Sequence, residues 1–196
     1  IDDLIGADPQ IRATSTSRAF GNPALRAAAA VDGSEAAPDL GTGWIPAEPV
    51  VGESIAVDFP ARDLREFRLT QNAEGGLATS ALISINDAEP FPTQLQPGVT
   101  TIRLPQATRA SRVRVLITGR SGVGPTRILD LGLPHPNPAD ASLAAATCVS
   151  VATIDGAPLR VRLQGERADL LGGQPVPFTA CEGTQVALAA GVHRLR

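Results

Sequence analysis

Lysine, tyrosine and methionine are absent from this 196-residue chain, and tryptophan occurs once. Without lysine there is no Walker-A phosphate lysine, no pyridoxal Schiff base and no Ser-Lys nucleophile pair. With five Phe and one Trp as the whole aromatic content, stacking platforms for sugars or bases are scarce, and the core falls to Val, Leu, Ile and Ala. No apolar run approaches the roughly 20 residues that span a bilayer. Ile1 is not an initiator methionine, so the sequence reads as a soluble piece of a longer protein. An acidic balance, 17 Arg against 20 Asp and Glu, together with so few aromatics, excludes a nucleic-acid partner.

What is present points to β structure. The 19 Gly and 17 Pro are scattered between short apolar runs, the pattern of many turns. Strands are predicted at Ser54–Phe59, Glu66–Thr70, Ala81–Asn86, Thr100–Leu104, Arg112–Thr118 and Thr126–Leu131. Their spacing of roughly 10 residues, with no amphipathic helices between, indicates a sandwich rather than βαβ units. Strict alternation in Arg112-Val113-Arg114-Val115 puts both Val on one face and both Arg on the other.

Three alternating prolines in Leu133-Pro-His-Pro-Asn-Pro cannot join a central strand or a helix interior. They predict an organisation of residues 1–134 as the sandwich, 135–146 as a Pro/Ala-rich linker and 147–196 as a small β unit. Within that unit Cys148–Ile154, Leu159–Leu163, Val176–Ala180 and Gln185–Ala189 read as strands, parted by Asp155-Gly156 and Gly172-Gly173 turns. About 50 residues make a marginal core. Cys148 and Cys181, the only cysteines, both fall here, and a disulfide between them would supply roughly 3–4 kcal/mol and imply an oxidising, extracytoplasmic compartment. The alternative is a pair of buried thiols. His135 and His193 show no zinc-ligand spacing with the cysteines.

Charge is segregated. Ala27–Ala61 holds Asp32, Glu35, Asp39, Glu48, Glu53 and Asp58 without an Arg, whereas Pro90–Leu129 holds Arg103, Arg109, Arg112, Arg114, Arg120 and Arg127 without an acid. Either the blocks pair with each other or the basic block meets an anionic partner, and their near cancellation favours pairing.

Ala30-Val31-Asp32-Gly33, followed by Thr42-Gly43-Trp44, resembles the Ala-x-Asp-Gly…Thr-x-Trp signature of discoidin-like domains, the coagulation-factor C-type and family 32 carbohydrate-binding modules. Ile55–Phe59, Leu64–Leu69, Arg109-Ala-Ser-Arg-Val-Arg-Val115 and Ile128-Leu-Asp-Leu131 match further strands in the family order. The resemblance implies an all-β chain: an eight-stranded jelly-roll (galactose-binding-like) β-sandwich, here followed by the small β-rich unit. Ile1-Asp-Asp-Leu-Ile-Gly-Ala-Asp-Pro, leading through Ala19-Phe-Gly-Asn-Pro to Gly33, also looks like the soluble region of mycobacterial-type arabinofuranosyltransferases. Those are membrane enzymes that build cell-wall arabinan and carry such modules outside the cytoplasmic membrane. The resemblance therefore implies a non-catalytic accessory module in the cell envelope, with cell-wall polysaccharide, weakly held, or other domains of the parent as partners. The same fold kept as a rigid spacer or protein-docking module, with sugar binding lost, is the alternative, and the shortage of aromatics favours it.

In that family a structural calcium is held by the Asp-Gly loop, the Thr hydroxyl and an acid on the closing strand, corresponding to Asp32, Thr42 and Asp130. Converging oxygens on a sharp Gly turn, with two carboxylates to balance charge, are what a hard cation requires. The loop before Trp44 is longer than the family pattern and adds Glu35 and Asp39, so a plain Asp-Gly turn with solvated acids remains the competing reading. Trp44 reads as core beneath that loop. Planar polar groups at turns that could bridge sugar hydroxyls are Gln71, Asn72, Glu74 and Arg120, with Phe91 in a hairpin loop as an apolar contact; as ordinary turn residues they would have no such role. The Gly119–Gly124 loop lacks the Lys and the following helix of a phosphate cradle. Neither His sits in a recognisable catalytic triad, and a paired-carboxylate glycosidase depends on a separation that sequence does not contain. Catalytic residues are expected to be absent.

Overall fold

A computed structural model describes residues 10–22, 25–31, 43–134, 148–165, 169, 174–183 and 191–192. The chain divides into two compact units, one of Asp8–Ala139 and one that includes Asp140–Arg196.

The larger unit is all-β, as the alternating runs require. Its strands are β1 (Arg12–Ser15), β2 (Ser54–Gln71), β3 (Leu77–Ile85), β4 (Phe91–Gln94), β5 (Val99–Ser121) and β6 (Ile128–Asp130). They are antiparallel in the order β1-β2-β5-β3-β4, with β6 also on β2. Six strands stand among the described residues where the family pattern led us to expect eight. The reason lies in β2 and β5, each predicted as two separate strands. Pro60 and Pro105, which directly follow the expected strands Ser54–Phe59 and Thr100–Leu104, lie inside continuous strands. Register shifts between Asp58/Arg62 and Leu64/Glu66 mark a bend, and local bulges are how a paired ribbon turns a corner. The first half of β2 thus pairs with the second half of β5 beside β1, β3 and β4, and the remaining halves pair beside β6.

One core spans both halves. Val113, Val115, Ile117, Ile83 and Ile55 from one side meet Phe67, Leu69, Ile102, Ile128 and Leu131 from the other, all essentially excluded from solvent. The alternation read at Arg112–Val115 holds, with Val113 and Val115 buried. Opposite them on the outer face, Arg112 crosses to Asp58 at 3.3 Å and reaches Asp87 at 3.4 Å. Arg120 lies 3.5 Å from Glu48. At Arg112–Asp58 and Arg120–Glu48 the acidic and basic blocks pair with each other. Each pair is partly exposed and worth at most about 1 kcal/mol, so it orders the surface more than it stabilises the fold.

The smaller unit has a three-stranded antiparallel sheet, β7 (Val149–Ile154), β8 (Ala157–Leu163) and β9 (Phe178–Ala180). Asp155-Gly156 forms the predicted turn, both residues at positive φ. Val161 on the central strand is its buried hydrophobic residue among those described. A core that thin needs a covalent staple, and Cys148 is bonded to Cys181 across 33 residues. The predicted strand Gln185–Ala189, the Gly172-Gly173 turn and the linker 135–146 lie outside the described residues. Among the described residues, no helix is long and apolar enough to cross a membrane.

Candidate functional site

The strands of the larger unit end in a cluster of loops. β2 finishes at Gln71, β3 begins at Leu77 opposite Ser121 of β5, and Gly76 bridges Thr126. The two Gly-rich loops, residues 72–76 and 122–125, lie backbone on backbone. A Cβ added to Gly76 would sit 2.1 Å from the Gly124 carbonyl oxygen, and one on Gly122 would sit 2.0 Å from that of Gly75. No side chain fits between them. Arg120 donates to the Gly124 carbonyl and, at 3.3 Å, to Thr126 Oγ1 while pairing with Glu48.

Two further segments join this end. Ser17 Oγ accepts from the Ala47 N–H at 2.9 Å and donates to Glu53, which also accepts from Thr16. Residues 16–22 are thereby fastened along residues 45–53.

The predicted sugar contacts fare unequally. Gln71 is 1% exposed. Its Nε2 donates to the carbonyls of Ala78 (2.9 Å) and Gln96 (2.8 Å), and its Oε1 accepts from the Ala78 N–H at 2.9 Å. The carboxamide serves as a surrogate strand partner for Ala78, just where β4 stops. No ligand reaches it without opening the sheet, so Gln71 is withdrawn from the site. Asn72 is half-buried and holds the loops together: Nδ2 donates to the Glu74 and Gly76 carbonyls, and Oδ1 accepts from the Arg127 N–H. Phe91 opens β4 opposite Ile83 and packs on the core instead of standing in a hairpin loop. Glu74 is exposed, and Arg120 keeps 26% of its side chain in water. Of the five candidates, Glu74 and the outer part of Arg120 are open to solvent, with Asn72 half-buried behind them.

Trp44 is completely buried and its Nε1 donates to the Ser17 carbonyl at 2.8 Å, which places it in the core as the sequence suggested. It is also backbone-paired with Ile128 of β6 at 2.8 and 2.9 Å. Gly43 before it has φ +106, and a Cβ there would lie 2.6 Å from the Ile128 oxygen, so glycine is required. On the other flank, the Leu131 N–H donates to the Ala30 carbonyl. Both flanks of residues 32–42 are thus tied to β6, whose Asp130 is 2% exposed and accepts from the Gly132 N–H at 3.0 Å. A buried carboxylate fixed between those flanks fits a hard-cation ligand. Asp32 and Thr42, its expected co-ligands, lie outside the described residues, as do His135 and His193. Among the described residues no three His, Cys, Asp or Glu side chains cluster for metal binding.

The sequence reading passed over Phe20. It is 99% exposed at φ +55. The available signal was its position before Gly21-Asn22-Pro23, a turn sequence.

No protein-family model matches the chain, and no curated protein does. Solved structures do match. A family 32 module from C. perfringens NanJ, solved with galactose, aligns over 64% of this chain and 96% of its own at 22% identity and TM-score 0.46. A chitosan-binding module from a Paenibacillus sp. IK-5 chitosanase/glucanase aligns over 65% of this chain and 93% of its own at 22% identity and TM-score 0.49. The arabinofuranosyltransferase AftD from Mycobacteria aligns over 99% of this chain at 18% identity and TM-score 0.62, this chain spanning 17% of that one. The fold is all-β and similar to that of a segment of AftD, the kind of protein its sequence resembles.

Proposed function

We propose that this chain is a non-catalytic, carbohydrate-binding-type accessory module of an extracytoplasmic glycosyltransferase that builds cell-wall arabinan. The observation that carries the reading is the fold match to an arabinofuranosyltransferase over 99% of the chain, which takes in both units. The Cys148–Cys181 bond supports an oxidising location outside the cytoplasm, in the cell envelope. Glycosyl transfer belongs to the rest of the parent. The module's part is to hold arabinan polymer at the loop end near Glu74 and Arg120, weakly, at about millimolar affinity, which tethering beside a polymer makes useful. Asp130, with Asp32 and Thr42, would hold a structural calcium whose role is to fix the loop before Trp44; binding it would add to folding stability.

A second reading has one specific observation in its favour. Gln71, Asn72 and Arg120 spend most of their bonding capacity on the protein itself, and Phe91 packs on its core, as in a rigid spacer or docking element. Titration of the isotope-labelled chain with a short arabinofuranose oligosaccharide separates the two. Saturable amide shifts at the loop end are expected; an unchanged spectrum at concentrations well above about millimolar leaves the spacer reading.

A further inference from the structure

Aromatic rings in this chain are few, and the fold uses nearly all of those in the larger unit as core. Trp44, Phe59 and Phe67 are 0%, 4% and 3% exposed, and Phe91 packs on the same core. Phe20 alone among the described aromatics of that unit is in water, at 99% exposure.

It is also held there at a cost. Phe20 occupies the left-handed region, φ 55 and ψ 15, inside the tight turn Ala19–Gly21. That region disfavours any residue with a Cβ and suits glycine or asparagine. The turn is well anchored: the Ala19 N–H donates to Ile45 at 2.8 Å, the Asn22 N–H to Ala19 at 3.0 Å, and the Leu25 N–H to Asn22 at 3.1 Å. Ala19, Leu25 and Ile45 form a small buried cluster beneath it. A fully solvated phenyl gains no burial energy to offset its backbone strain. Folding stability therefore gives no account of Phe20, and a strained, solvated side chain of this kind is where a functional role is to be sought.

The surroundings narrow the ligand. Arg18 and Asn22, two residues before and after, are exposed and carry a planar guanidinium and a carboxamide. An aromatic face beside planar hydrogen-bonding groups suits a saccharide, whose C–H faces lie on the ring while neighbouring hydroxyls take paired bonds. Glu53, which accepts from Thr16 and Ser17 just before this turn, puts a negative charge beside it and opposes an anionic headgroup or acidic polymer.

We propose that Phe20 is the stacking contact for a neutral saccharide ring, with Arg18 and Asn22 bonding its hydroxyls. This rests on the sugar-binding reading of the loop end and adds a recognition element to it. The test uses the full chain and a short arabinofuranose oligosaccharide followed by NMR. Amide shifts at residues 18–22 are expected, with at least tenfold weaker binding in Phe20→Ala and retained binding in Phe20→Trp. Phe20→Gly separates fold from function, since it should raise the melting temperature while removing the binding. Shifts confined to residues 72–76 and 122–124, with Phe20→Ala unaffected, would overturn the assignment and leave the sugar-binding reading standing. An unchanged spectrum with arabinofuranose, galactose and chitosan fragments alike would overturn both. Phe20-dependent co-sedimentation with anionic lipid vesicles, without sugar binding, would replace the saccharide by a membrane surface.

Discussion

Gln71→Ala is the most direct trial of the way this sandwich is closed. The carboxamide makes three hydrogen bonds to backbone groups that no strand supplies, and Ala78, which takes two of them, is 1% exposed. Truncation leaves the Ala78 N–H buried without a partner, at about 1–3 kcal/mol. The carbonyls of Ala78 and Gln96 lose one bond each at about 1 kcal/mol net, less if their second lone pairs find water. The expected total is about 3–5 kcal/mol, a large share of the roughly 5–15 kcal/mol of a typical domain. Gln71→Leu, which restores most of the volume, should recover at most about 1 kcal/mol, because the orphaned N–H remains. Urea titration followed by Trp44 emission measures this cleanly. Trp44 is the sole indole, fully buried, and lies in the same unit, so its red shift reports that unit's unfolding. Midpoint shifts worth less than about 0.5 kcal/mol in both variants, the range of ordinary surface changes, would refute the buried-clamp argument.

Gly122→Ala should destabilise the larger unit by at least about 2 kcal/mol, since its methyl would meet the Gly75 carbonyl at 2.0 Å and φ is +77; the same Trp44 titration checks it. Reduction of Cys148–Cys181 should cost the smaller unit about 3–4 kcal/mol on the chain-entropy estimate for a separation of 33, read as faster proteolysis after residue 140 with Trp44 emission unchanged. If calcium is held at Asp130, chelator lowers the melting temperature and Asp130→Asn removes that response; superimposable melting curves with calcium and with chelator would dismiss the metal.

The parts of this molecule legible in its sequence are those governed by short-range pattern. Alternation at Arg112–Val115 set which side chains enter the core, and Asp155-Gly156 set a turn. Cys148 and Cys181, as the sole pair, left one partner each. Corner-turning in β2 and β5 was hidden because Pro60 and Pro105 signal a break in the ladder, yet at a bend the missing N–H is no loss. The site was less legible still. A glutamine at a strand end looks the same whether it meets solvent or plugs a gap in a neighbouring ladder, and only the tertiary meeting of Gln71 with Ala78 decides. Phe20 was obscured for the opposite reason: an apolar residue is assigned to the interior by default, and its exposure follows from a positive φ that no pattern rule assigns to phenylalanine.

The long strands β2 and β5 carry a kinetic consequence. Because each runs through both halves of the sandwich, neither half owns a complete set of strands, and no subset of the larger unit forms a self-sufficient foldon. The pairing between them extends from Thr70 with Val99, the nearest partners in sequence, to Ser54 with Leu116, the most distant. Loop-closure entropy therefore favours zippering from the first pair toward the second. High contact order makes this a slow folder among small domains, on the order of milliseconds to seconds. Once formed, the central amides of both halves should exchange with solvent at one common opening free energy, since neither layer can open while the other stays paired.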